Sequence, residues 1–480
     1  MNRRMILYLL GWILIIETGF MLLPLITALI YREASGRWFL YTMLGGVLLG
    51  LGMMRLARPR NRTIYTKDGM VIVALSWILL SLFGALPFSL SGEIPSYLDA
   101  VFETVSGFTT TGSSILPNVE ALSHCMLLWR SFSHWLGGMG VLVFMLGILH
   151  MEGGQAIHLL RAESPGPAVS KMVPKMSDSV KILYGIYLAL TLLQIVFYRI
   201  GGMPVFDSIC HAVGTAGTGG FGIKAASLGA YDYYAQTVTT VFMLLFGVNF
   251  SVYFFILRRK LDLVWKNTEL RWYLLIIAVA AGLLTVNILP LFPSVYDAFH
   301  HAIFAVASII TTSGFATVDF NLWPEFSRVI LVLLMIMGAC AGSTGGGMKV
   351  SRVIILIKSA RSDLRRLVHP HTVKADFMDG KPLGRELVAS VRGYFLIYAM
   401  IAVVSVLLIS LDNFDGTTTL TSVITTLNNI GPGLNLIGPA GNFAAFSPLS
   451  KVVLCIDMLF GRLELYPMLV LMMPSTWSRR

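Results

Sequence analysis

Charge is scarce in this sequence. Asp, Glu, Lys and Arg make up 13% of its 480 residues, against roughly 25% in a soluble domain. With 56% hydrophobic residues beside it, that scarcity excludes an ordinary soluble globule. Cysteine is scarce too. Cys125, Cys210, Cys340 and Cys455 stand in separate apolar segments without disulfide or metal spacing, and read as small core hydrophobes. His300 and His301 are adjacent, so they cannot share a helix face, and no carboxylate or cysteine stands near them at metal-ligand spacing. There is no Ser/His/Asp set, no paired carboxylates and no nucleotide-binding domain, so neither catalysis nor a bound cofactor is expected. The formal rival, a polytopic membrane enzyme, needs ionisable residues clustered at one membrane depth. No small-residue cleavage site follows the first apolar stretch, so Arg3 and Arg4 are read as preceding a retained helix.

Long apolar runs are what the sequence has in abundance. They lie at roughly 5–30, 38–57, 70–91, 124–150, 179–200, 233–257, 270–291, 325–358, 386–411 and 449–474, each near the ~20 residues that cross a bilayer. Only helices or closed barrels satisfy their backbone in lipid, so the expected fold is an all-α polytopic membrane protein with ten transmembrane helices. The net charge of +11 gathers in alternate loops: Arg55, Arg58, Arg60, Arg62 and Lys67; Arg161, Lys171 and Lys175; Arg258, Arg259, Lys260 and Lys266; Lys358, Arg361, Arg365, Arg366, Lys374 and Lys381. The positive-inside rule explains this better than nucleic-acid binding. With Arg3, Arg4, Arg479 and Arg480 it puts both termini in the cytoplasm.

The opposite loops carry a repeated pattern. YLDAVFETVSGFTTTGSS, VFDSICHAVGTAGTGGFG, VYDAFHHAIFAVASIITTSGFATVDF and NFDGTTTLTSVITTLNNIGPGLN are each too short or too polar to span. Each opens near an aspartate (Asp99, Asp207, Asp297, Asp415), a good helix N-cap that suits the positive end of the dipole. Each closes on small polar residues around a glycine: Gly112, Gly220, Gly314 and Gly431. Aspartate and glycine stand thirteen residues apart in the first two, and sixteen or seventeen in the others. The unit of helix, re-entrant pore loop and helix therefore recurs four times around a central pore, after two extra helices in 1–69. The repeats fall at 70–150, 151–258, 259–375 and 376–480. Glycine turns aim carbonyl oxygens inward, where they replace a cation's hydration shell. The aspartates, with Glu103, would raise the cation concentration at the outer mouth.

At SGFTTTGSS (106–114), GTAGTGGFG (214–222), ITTSGFATVDF (310–320) and LNNIGPGLN (427–435) the chain resembles the TrkH subunits of bacterial potassium uptake systems. These belong to a superfamily that includes the KtrB and HKT transporters. The resemblance covers essentially the whole chain. It implies a homodimer in the bacterial inner membrane that transports K+, with a selectivity filter at Thr110, Thr111 and Gly112; Thr218, Gly219 and Gly220; Thr312, Ser313 and Gly314; and Asn429, Ile430 and Gly431. Sodium-selective relatives often carry serine at the first glycine position. The partner implied is a cytoplasmic TrkA-like ring that binds NAD and ATP, docking on the basic loops 151–178 and 358–381. Contact with anionic membrane lipid explains the same charge. A transporter of the same fold for sodium, another cation or a small polar solute is the alternative.

The eighth span breaks at GACAGSTGGGMK (338–349). Glycine costs a helix about 1 kcal/mol relative to alanine, so this stretch is expected to be unwound within the membrane. Met348 and Val350 spoil its likeness to a phosphate-binding loop, while close helix packing through small residues is a plainer alternative. In family terms Gly342, Ser343, Thr344, Gly345, Gly346 and Gly347 form a gating loop. In the last span, Arg462 sits among apolar residues, where a charge is functional by default. The resemblance puts it below the filter, obstructing the path. The competing expectation pairs it with Asp457 or Glu464, neither at ideal helical spacing.

Overall fold

The computed structural model describes residues 1–59, 64–140, 176–369 and 376–478. The last ten residues of the expected span 124–150, nearly all of loop 151–178 with Arg161, Lys171 and Lys175, and Arg60, Arg62, Lys374, Arg479 and Arg480 lie outside the described residues. The chain begins with α1 (Arg3–Phe20), α2 (Leu22–Tyr31) and α3 (Gly36–Ala57). Glu33, between α2 and α3, accepts hydrogen bonds from the backbone N–H of His124 (2.7 Å) and Cys125 (3.0 Å). It thereby caps a helix of the next unit and ties the leading helices to it.

The first unit is α4 (Thr66–Gly84) with α5 (Leu86–Ser91), the short α6 (Tyr97–Phe108) and α7 (His124–Met139). The second is α8 (Met176–Ile200), α9 (Val205–Ala216), α10 (Tyr233–Phe246) and α11 (Phe250–Leu257). After α12 (Leu261–Trp265) comes the third: α13 (Thr268–Ile288), α14 (Val295–Ile310), α15 (Glu325–Met337) and α16 (Val350–Val368). A small antiparallel hairpin, β1 (Phe377–Met378) with β2 (Lys381–Pro382), follows. The fourth unit is α17 (Arg385–Ile409), α18 (Gly416–Leu427), α19 (Pro448–Arg462) and α20 (Tyr466–Met472).

Lipid, rather than water, explains which residues face outward. On α17 Leu396, Met400, Val403 and Leu407 are exposed, while Val391, Tyr394, Tyr398 and Ser405 are buried. The polar atoms are thus gathered inside and the apolar stripe turned out, the arrangement a bilayer imposes.

Ten spans are expected from hydropathy. Among the described residues six helical runs are long and apolar enough to cross alone, and a seventh counts if α10 and α11, bent by 89°, are taken together. Part of the difference has a physical cause: the sequence marks only the eighth span as broken, whereas the sixth and tenth are interrupted too; the last ten residues of the span 124–150 lie outside the described residues. Gly140 (φ 80°) ends α7, Gly247 and its neighbours separate α10 from α11, and Gly338 (φ 73°) ends α15. In the last unit no glycine does this. Glu464 (φ 57°) and Leu465 (φ 66°) take the left-handed conformation between α19 and α20.

Candidate ion-pathway site

The four short helices end at a constant distance from their glycines. α6, α9, α14 and α18 finish at Phe108, Ala216, Ile310 and Leu427, each four residues before Gly112, Gly220, Gly314 or Gly431. The same two capping bonds close each end. The N–H of Thr111, Gly219, Ser313 and Ile430 reaches back five residues (2.8–3.0 Å). That of Thr110, Thr218, Thr312 and Asn429 reaches back three (2.9–3.2 Å). This is the Schellman arrangement, which requires a left-handed residue at the turn. Thr110, Thr218, Thr312 and Asn429 supply it with φ between 55° and 59°. For a β-branched threonine that conformation costs about 1–3 kcal/mol and persists only where the surroundings enforce it.

The surroundings form a closed ring. A Cβ on Gly112 would overlap the carbonyl oxygen of Gly219, one on Gly220 that of Ser313, and one on Gly314 that of Ile430. A Cβ on Gly431 would lie 2.9 Å from the carbonyl oxygen of Thr111. Each glycine therefore meets the carbonyl preceding the next glycine, and the fourth returns to the first. All four glycines have φ between 72° and 99°, so a side chain there is excluded both by conformation and by a neighbour's oxygen. They also line one open cavity with Ser113, Arg130 and Lys224. One step inward, Asn429 Nδ2 donates to Thr111 Oγ1 and to Met458 O, both at 2.9 Å. The buried Thr110 Oγ1 and Asn429 Oδ1 have no hydrogen-bond partner.

Gly219 stands where the other turns have Thr111, Ser313 and Ile430, and His134 is the reason. Its imidazole occupies the space a Cβ on Gly219 would need, and its Nδ1 lies 2.8 Å from Gly107 O. Arg130, which sequence reasoning passed over, is a second buried arginine. It pairs with Glu103 at 2.6 Å, donates to Gly222 O at 2.9 Å and lies 3.5 Å over the Phe221 ring. Glu103 also accepts from Ser114 Oγ (2.9 Å) and Ile115 N (3.0 Å). The carboxylate expected at the outer mouth is thus buried, holding the chain that leaves the first turn. An arginine inside HCMLLWRSFSHW is itself the signal that could have found Arg130.

The aspartates need correction as caps. Only Asp415 is an N-cap, accepting from Thr418 N at 3.0 Å. Asp99, Asp207 and Asp297 sit in the third position of their helices, after Ser96, Pro204 and Ser294. That register, and one extra turn in the sixteen-residue α14, account for the unequal aspartate-to-glycine spacings. Asp99 pairs with Lys451 at 2.6 Å, and Asp207 accepts from Tyr231 at 2.9 Å. Hydrogen bonds from Ser294 and Tyr233 hold the Asp297 carboxyl below its usual range, and bonds from Thr418 do the same for Asp415. Both stay ionised at neutral pH.

Beneath the ring, the helix breaks are bonded into a girdle. Residues 338–349 are non-helical between α15 and α16, as the glycines imply. Gly346 N donates to Thr312 Oγ1 at 2.7 Å, and a Cβ on Gly345 would lie 2.9 Å from Thr311 O, so the loop presses on the third turn. Cys340 N donates to Gly247 O and Phe250 N to Gly342 O, both at 3.1 Å, joining it to the second break. Lys349 Nζ reaches back to Gly345 O. Arg462 closes the girdle, donating to Thr344 O (2.8 Å), Gly138 O (2.7 Å) and Gly137 O, with Trp77 5.7 Å away. Its expected alternatives are otherwise engaged: Glu464 pairs with Arg352, and Asp457 accepts from Ser405 at 2.8 Å.

Fold and site together define a polytopic α-helical membrane protein in which four glycine turns meet in one ring. A family model, TrkH, described as a cation transport protein, matches residues 47–479. The chain belongs to the TrkH family of cation transport proteins. The Trk system potassium uptake protein TrkH of Salmonella typhimurium is 38% identical over 487 residues, covering 99% of this chain and 100% of the relative. TrkG of Escherichia coli K12, also named a Trk system potassium uptake protein, is 32% identical over 482 residues, covering 99% and 98%. The crystal structure of the potassium transporter TrkH from Vibrio parahaemolyticus superposes with a TM-score of 0.89 at 34% identity, covering 100% of both chains.

Proposed function

We propose that this chain carries potassium into the cell across the bacterial inner membrane, as the membrane subunit of a Trk system. Its last eight helices form four pseudo-repeats around a central pore, and the filter comprises residues 110–112, 218–220, 312–314 and 429–431. The ring in which each glycine meets the next repeat's carbonyl carries this reading. A closed set of backbone oxygens with no room for a side chain suits a cation stripped of water. The unpartnered Thr110 Oγ1 and Asn429 Oδ1 extend the oxygen lining inward. The four short helices point their partly negative C-termini at the same place, and the ionised Asp297 and Asp415 draw cations to the mouth.

The loop 338–349 and Arg462 form the gate. A guanidinium bonded to three carbonyls beneath the filter blocks cations both sterically and by charge. A homodimer and a cytoplasmic nucleotide-binding ring of the TrkA type, docked on the basic loops, complete the assembly. Both termini face the cytoplasm, the chain holds no cofactor of its own, and transport is channel-like.

The test is rubidium tracer uptake into proteoliposomes under potassium, sodium and lithium competition, for wild type and Gly112→Ser. Potassium should compete best in the wild type, and Gly112→Ser should lower the preference over sodium about tenfold, equivalent to ~1.4 kcal/mol. Equal competition by sodium in the wild type would instead establish the general cation transporter.

A further inference from the structure

The loop 338–349 has a further anchor, a buried carboxylate on a different element from Arg462. Glu269 lies in the first turn of α13, just after Asn267, whose side chain caps that helix by accepting from Leu270 N at 2.8 Å. It is 5% exposed. One oxygen, Oε1, accepts from Ala341 N at 2.7 Å and from Ser351 N at 3.0 Å. Ala341 lies near the start of the non-helical stretch, and Ser351 in the first turn of α16 just beyond its end. A single carboxylate oxygen therefore staples the two ends of the loop together. Such charge-assisted bonds are about twice as strong as neutral ones. A carboxylate buried at this depth is otherwise costly, so its retention needs a reason.

Glu269 is also within reach of the outside. Its neighbour Thr268 exchanges two hydrogen bonds with the turn of the β1–β2 hairpin. Thr268 N donates to Asp379 Oδ1 at 2.7 Å, and Asp379 N donates to Thr268 Oγ1 at 3.3 Å. The hairpin is exposed, and Lys358 Nζ of α16 bonds to its Phe377 carbonyl. Covalent continuity from Thr268 to Glu269 then joins a surface hairpin to both ends of the loop.

We propose that Glu269 is the latch that holds the loop 338–349 in its closed shape, and that the hairpin Phe377–Pro382 is the surface handle on that latch. This rests on the gating reading of the loop. Displacing the hairpin shifts the start of α13, the two bonds to Glu269 part, and the loop ends separate. The support is one contiguous set of bonds from the hairpin through Thr268 and Glu269 to both ends of the loop. Glu269 is a positioning residue, since it acts through the loop and touches no ion.

The experiment is potassium-competed rubidium uptake by purified protein in proteoliposomes, for Glu269→Ala, Glu269→Gln, Asp379→Ala and, as the reference for an open gate, Arg462→Ala. Glu269→Ala should raise uptake about tenfold with potassium preference intact. Glu269→Gln keeps an oxygen able to accept both N–H groups but loses the charge that strengthens them, so it should raise uptake clearly less than Glu269→Ala does, a graded rescue that a purely electrostatic role would not give. Asp379→Ala, at an exposed turn, should raise uptake a few-fold. Misfolding lowers uptake, so a selective gain cannot come from it. Uptake raised by Arg462→Ala but not by Glu269→Ala overturns the latch and leaves the gate standing. If both variants are silent, the gating reading itself fails. A raised Glu269→Ala beside an unchanged Asp379→Ala overturns the handle.

Discussion

Arg462 and Arg130 are both buried at membrane depth, but the groups they face differ. Arg130 meets a carboxylate, Glu103, at 2.6 Å, so the pair is neutral and its task is to fix the chain leaving the first two turns. Arg462 meets carbonyl oxygens of three residues, Gly137 and Gly138 in the last turn of α7 and Thr344 in the loop 338–349, and in the proposed gate its charge bears on the ion path. Two predictions separate these roles. Arg462→Ala should raise cation uptake by about tenfold or more, since a charge in the path costs a few kcal/mol; equal or lower uptake by well-folded protein would count against the gate. Glu103→Gln should strip the partner from Arg130 and lower the thermal unfolding midpoint in detergent, corresponding to a loss of about 3–5 kcal/mol. At this scale a charge among apolar residues was the legible signal, read at Arg462 and passed over at Arg130. The pairing of Arg130 with Glu103 was not legible, because it joins α7 to α6 across a turn no local pattern describes.

Among the elements, the re-entrant turns were the most readable and the broken helices the least. Threonine and glycine at fixed separation mark a left-handed cap followed by a second left-handed residue, and the structure puts positive φ at both positions in all four turns. The helix breaks were read only at 338–349, where glycines accumulate. Gly137, Gly138 and Gly140 also gather at the end of α7 and were passed over, the break at Gly247 rests on a single glycine, and the one at Glu464 and Leu465 has no glycine at all. Tertiary bonds enforce them: Cys340 N and Phe250 N cross between the second and third breaks, and Arg462 crosses from the fourth to the first and third. The loop's tight seat gives a further test. A Cβ on Gly346 would lie 2.5 Å from Asn428 O, so Gly346→Ala should push the loop from beneath the filter. Uptake should rise a few-fold in protein that still elutes as a single species, and unchanged uptake would mean the loop does not seal the path.

For the whole molecule the central observation is closure. Four segments separated by about a hundred residues each bring a glycine against the carbonyl of the next, and the last returns to the first. The number of turns and their glycines were legible from the repeats. Their ring order was not, because it depends on packing among α6, α9, α14 and α18. Nor was the substitution of Gly219 for a larger residue, which His134 on α7 dictates. The outer acids show the same limit: only Asp415 takes the capping position expected of all four, and the pairing of Asp99 with Lys451, 352 residues away, has no local signal.

The most direct test of the account opens the gate first, so that a silent channel cannot be mistaken for an absent one. Rubidium uptake would be measured in proteoliposomes for Arg462→Ala, with and without Gly112→Ser or Gly314→Ser, under potassium and sodium competition. The account predicts brisk, potassium-preferring uptake in the single variant and an equal or larger flux with the preference lost in both doubles. Unchanged preference in the doubles would contradict a filter built on this ring of glycines and carbonyls.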